Sequence, residues 1–76
     1  MNTCIFILGS FFLQLVDDYE NDFKFVKVES ITMVAGKEKY PLIYTLNESI
    51  FTGWITEKDR YMTAKETMDL IKSCNK

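Results

Sequence analysis

The spacing of hydrophobic and polar positions changes along the chain. Residues 5–8 (Ile-Phe-Ile-Leu) form an unbroken apolar run, the pattern of a strand buried on both faces. From residue 8 onward, Leu8, Phe11, Phe12, Leu15, Val16 and Tyr19 share one helical face, and Ser10, Gln14, Asp17 and Asn21 share the other. That period predicts an N-terminal helix with Ser10 as its N-cap. Two features oppose it. Asp17, Asp18 and Glu20 would crowd the negative end of the helix dipole, and Gly9-Ser10 also suits a two-residue hairpin turn.

Residues 23–34 read as extended chain, rich in β-branched and aromatic side chains. Their alternation changes parity twice, which predicts bulges or a kink near Glu29-Ser30. Residues 35–39 are a polar turn. Residues 40–46 alternate again, with Pro41 confined to a strand start or edge. Asn47-Glu48-Ser49 then turns the chain into residues 50–56, a second strand of the same hairpin. Near the C-terminus, Thr63-Ala64-Lys65-Glu66 matches the capping-box pattern. Ala64, Thr67, Met68, Leu70, Ile71 and Cys74 continue it as an apolar stripe, with Lys72 and Lys76 at the favourable end of the dipole. The expected fold class is α+β: a small antiparallel sheet of three to five strands, a C-terminal helix packed on it, and an N-terminal helix. Residues 1–76 form one domain. The helix–strands–helix order is also that of double-stranded-RNA-binding domains, an analogy of topology alone.

Composition narrows the functions. At 76 residues and 47% hydrophobic the chain has enough apolar surface to fold, though its expected net stability is only about 4–11 kcal/mol. It contains no histidine, which removes the commonest general base and the commonest transition-metal ligand. Gly9, Gly36 and Gly53 are isolated, so no phosphate-cradling loop is present. Asp18, Glu20, Asp22 and Glu29 fall at positions 1, 3, 5 and 12 of a calcium-loop template, but Phe23 replaces the turn glycine and the match reads as coincidence. The expectation is a non-enzymatic protein with no cofactor and no metal.

Charge is unevenly placed. Residues 1–22 hold four acids and no base, whereas residues 23–76 hold nine bases and seven acids. The acidic residues Asp17, Asp18, Glu20 and Asp22 make one short run, readable as a solvated loop or as a patch for a basic partner. With aromatic anchors in mind, Tyr44, Trp54 and Arg60 join them as candidate partner-binding residues, Trp54 on condition that its face is exposed. The leading reading is an interaction protein that binds another protein, in the manner of a phage- or mobile-element-type inhibitor of a host enzyme, with a homodimer as a further form. The alternative is a nucleic-acid-binding module using Lys24, Lys27, Lys37 and Lys39. Nucleic acid is the weaker partner, because the pI is about 5.0 and residues 63–67 carry one base and one acid where an RNA-binding helix clusters lysines.

Three smaller features remain. Cys4 and Cys74 lie near opposite ends; buried free thiols are expected, and a bridge would stabilise the chain by about 4 kcal/mol. Residues 4–13 resemble the apolar part of a signal peptide, but no base precedes them and no clean cleavage site follows. The run is too short to span a bilayer, so no transmembrane segment and a cytoplasmic location are expected, with secretion as the minority reading. Asn47-Glu48-Ser49 is a glycosylation sequon that matters only on a secretory route.

Overall fold

The computed structural model describes residues 1–16 and 22–74. Three small antiparallel sheets and one helix make up its regular structure. The first sheet has the order β1-β2-β3, from β1 (Thr3–Ile7), β2 (Ser10–Val16) and β3 (Phe23–Lys27). Its register aligns Cys4, Leu13 and Val26 in one row, and Leu15 lies two residues along on the same face. Leu13, Leu15 and Val26 are all buried, so this face is the inner one. Ile5, Phe12 and Phe25 alternate to the outer face.

The expected N-terminal helix is therefore absent, and residues 10–16 are a strand. The helical stripe omitted Leu13, yet Leu13 is completely buried. Both faces of the hairpin carry large apolar side chains, so spacings of three and four arise without a helix. The α+β expectation with two helices gives way to a mostly β architecture with a single C-terminal helix. With it goes the topological analogy to RNA-binding domains.

The second sheet has the order β4-β5-β6, from β4 (Ile31–Lys37), β5 (Tyr40–Thr45) and β6 (Ile50–Phe51). The expected kink is a 3-10 turn at Val28–Ser30, and the ladder shifts register between Ile31 and Met33. Residues 35–37 extend β4, which leaves Glu38-Lys39 as the turn. Pro41, Ile43 and Thr45 point inward, and Pro41 occupies the start of β5 where β6 does not reach it.

The strand expected over residues 50–56 breaks after Phe51. β7 (Trp54–Ile55) pairs with β8 (Arg60–Tyr61) instead, through a 3-10 turn at Thr56–Lys58. Gly53 permits the break, because a Cβ there would lie 2.6 Å from Met62 Cε and 2.9 Å from Asn2 Oδ1. Asn2, just before β1, ties β2 to β7. Its Nδ2 donates to the Trp54 carbonyl at 2.9 Å, and its Oδ1 accepts from the Val16 N–H at 2.7 Å.

The closing helix, α1 (Ala64–Ser73), starts as the sequence predicts. Thr63 Oγ1 accepts from the Glu66 N–H at 3.2 Å, and Glu66 Oε1 accepts from the Thr63 N–H at 2.8 Å. Leu70 and Ile71 pack against the core of Leu13, Leu15, Val26, Ile43, Met62 and Cys74. At its end Cys74 is bonded to Cys4, with the Cα atoms 5.7 Å apart. The expectation of free thiols is overturned: β1 and α1 bring the chain ends side by side, which linear spacing does not reveal. Among the described residues no helix is long and apolar enough to cross a membrane.

Candidate functional site

The apolar N-terminal run builds a projecting hairpin. β1 and β2 pair from Thr3↔Gln14 to Ile7↔Ser10, and Leu8-Gly9 make the two-residue turn. Both turn residues have positive φ, 50° at Leu8 and 82° at Gly9, the pattern of a type I′ turn. Gly9 adopts that conformation without strain. Leu8 does not, because its Cβ crowds the following carbonyl, and Asn, Asp or Gly normally stands there.

Leu8 is also 99% exposed. Packing therefore does not offset its strain. Around it Phe6 is 61% exposed, Ile7 45% and Phe11 37%, with the Phe6 and Phe11 rings meeting edge to face at 4.8 Å. No Asp, Glu, Lys, Arg or His precedes Asp17 in the chain. Together these four side chains expose roughly 400 Å² of apolar surface, taking about 150–250 Å² for a large side chain. Its size is that of the largest apolar patch on an ordinary monomer, about 300–600 Å², and such patches are often functional. The Cys4–Cys74 bond sits two residues below Phe6, so the base of the hairpin is fastened to α1.

Of the residues singled out from sequence, the described ones lie elsewhere. Asp17, Asp18 and Glu20 fall outside the described residues. Asp22 is exposed at the entry to β3, beside the Val16↔Phe23 row and at the far end of β2 from the turn. Tyr44 is half-buried on the outer face of β5, in one row with the exposed Met33 and Ile50. Trp54 is only 6% exposed, and its ring meets Tyr61 edge-on at 4.8 Å. The exposed face on which its role depended is not there, and Trp54 is a core residue. The structure does not bring Asp22, Tyr44 or Trp54 into one site with the hairpin tip.

Arg60 is committed within the fold. Its guanidinium makes a two-pronged bond to Glu66, 2.8 Å from Nη1 to Oε1 and 3.2 Å from Nη2 to Oε2, and Nη1 also donates to the Tyr61 carbonyl. The Arg60 bonds, followed by the Thr63 N–H, hold the Glu66 carboxyl down at about 2. The same pairing raises the Arg60 guanidinium above its ordinary value. On α1, the Asp69 carboxylate bonded to Lys65 at 2.9 Å raises that ammonium in the same direction. These pairs anchor β8 and stitch the helix surface.

The four lysines of the nucleic-acid reading do not form one stripe. Lys24 and Lys27 are exposed on opposite faces of β3, while Lys37 ends β4 and Lys39 lies in the β4–β5 turn of the other sheet. No group of three or more Asp, Glu or Cys residues among the described residues is arranged to hold a metal ion.

Sequence reasoning left residues 4–16 open between core, signal peptide and interface, and did not single out Phe6, Ile7, Leu8 and Phe11. The available signal was the two-residue turn read at Gly9-Ser10; the structure places it one residue earlier, at Leu8-Gly9, which puts an apolar side chain in the turn itself. No protein-family model matches the chain, and comparison with curated proteins and with solved structures finds no match either.

Proposed function

We propose that this chain is a non-enzymatic binding protein whose β1–β2 hairpin tip inserts into a concave apolar cavity on a partner protein. The observation that carries the reading is Leu8, strained in backbone and fully exposed, at the centre of an apolar tip. Neither local turn chemistry nor the core accounts for a leucine there, whereas an anchor that fills a partner's pocket does. Burying about 400 Å² at roughly 25 cal/mol/Å² contributes of order 10 kcal/mol before the costs of association. An enzyme cleft is such a cavity, so inhibition of a host enzyme is one form of this reading.

A heterologous partner fits the shape better than a second copy, since two convex tips do not cover one another. The Cys4–Cys74 bond supports an oxidising compartment in place of the cytoplasm expected from sequence. The test is a photocrosslinking side chain placed at position 8, with position 39 in the exposed β4–β5 turn as the control. One discrete adduct from position 8 that is absent from position 39 is the expected result. Equal labelling from both positions would sink the reading.

A further inference from the structure

The turn between β5 and β6 carries the sequon Asn47-Glu48-Ser49, which the hairpin tip does not use. Its placement and its surroundings both bear on chemistry. Asn47 is exposed, and Glu48 takes φ 65°, which turns the chain outward. The turn is held from behind: the Thr45 N–H donates to the Ser49 carbonyl at 3.1 Å, and the Glu48 N–H donates to the Thr45 carbonyl at 3.0 Å. Thr45 Oγ1 donates to Asn47 Oδ1 at 2.5 Å. That bond orients the amide through its oxygen, and among the described residues Asn47 Nδ2 has no hydrogen bond to protein.

Beside Asn47 runs an apolar groove of about 350 Å³, lined by Phe12, Phe25, Leu46 and Phe51. Phe25 is half exposed and Leu46 three-quarters exposed. The groove joins the two larger sheets, and Asn47 stands on its rim. The disulfide is a separate observation in the same direction, since disulfides form in the compartments where asparagine-linked glycans are added.

We propose that Asn47 is an N-glycosylation acceptor and that the first sugar rings of its glycan, N-acetylhexosamines, seat on the Phe12–Phe25–Leu46 groove. In the transfer, Asn47 Nδ2 bonds to the anomeric carbon of a polyprenyl-diphosphate-linked glycan. The bond from that carbon to the diphosphate oxygen breaks, its electron pair leaves with the polyprenyl diphosphate, and the amide proton passes to a base of the transferase. Ser49 supplies the hydroxyl that defines the acceptor triplet. The glycan presents C–H faces to aromatic and leucine side chains that are otherwise wet, so attachment covers an exposed apolar patch.

The experiment expresses the full chain behind a secretion leader in N-glycosylating cells. It reads the intact mass of the product, from medium or from the lumenal fraction, before and after peptide N-glycosidase. The wild type and S49T are expected to carry glycan that the enzyme removes, while N47Q and S49A carry none. S49A leaves the Ser49 carbonyl bond in place, so it separates lost acceptor chemistry from lost folding. Binding of an apolar fluorescent probe is expected to be about twofold weaker for glycosylated than for enzymatically stripped protein. A wild-type product with the disulfide formed but no glycan mass overturns the site. Glycan present with unchanged probe binding overturns its seating on the groove.

Discussion

Replacing Leu8 with Asn is expected to make the protein more stable and its binding weaker. Leu8 has φ 50° and is 99% exposed, so the substitution removes no buried surface. A side chain in the left-handed region costs roughly 1–2 kcal/mol, and Asn recovers part of that because its short polar group suits the conformation. A gain of about 0.5–1 kcal/mol follows, which in a domain of this size raises Tm by about 4 °C. Circular dichroism melts of wild type and L8N under identical conditions measure it, and chemical denaturation checks that the m-value is unchanged. If Leu8 is the anchor, the same change weakens partner binding by about 2–3 kcal/mol, or roughly 30- to 150-fold. An L8N protein that melts below wild type would refute the reasoning, because Leu8 would then be contributing to the fold.

Reducing the Cys4–Cys74 bond, which spans a sequence separation of 70, should cost about 4 kcal/mol by loop entropy and lower Tm by about 20 °C; a fall under about 5 °C would contradict it. Because the Glu66 carboxyl is held at about 2 against an ordinary 4.5, its contribution is complete above about pH 4.5 and is lost as pH falls toward 2. E66Q keeps the capping geometry but removes the charge, so after discounting for solvent screening it should cost about 1 kcal/mol at pH 7 and nothing near pH 2, read from denaturant midpoints across pH. G53A should destabilise by about 1–3 kcal/mol, since its Cβ meets both Met62 and the Asn2 side chain that two hydrogen bonds hold in place. A neutral G53A melt would show that Asn2 is free to move.

The C-terminal helix was legible because its signals are local: Thr63 and Glu66 sit three apart, and both halves of the capping box form. The kink at Glu29-Ser30 was legible for the same reason, as a parity change within one extended stretch. The strand read at residues 5–8 forms as far as Ile7, but residues 10–16 were misread as a helix because alternation marks a strand only when one face is polar. Here Ile5 and Phe12 look outward while Cys4 and Leu13 look inward, so the period of two is hidden. The break before Trp54 depends on Met62 and Asn2 closing on Gly53, contacts that link distant parts of the chain. The candidate site was hardest to see. An unbroken apolar run suggests burial, and only the turn geometry at Leu8 and Gly9 shows that its centre stands in solvent.

The most direct measurement of the central claim is a paired capture from the native host, with wild-type and L8N baits folded to equal extents and probed at matched concentrations. The account predicts that a partner recovered by wild type is depleted at least about 30-fold with L8N while the L8N bait melts at the same or a higher temperature. Equal recovery by both baits would contradict it and remove the hairpin tip as the binding element.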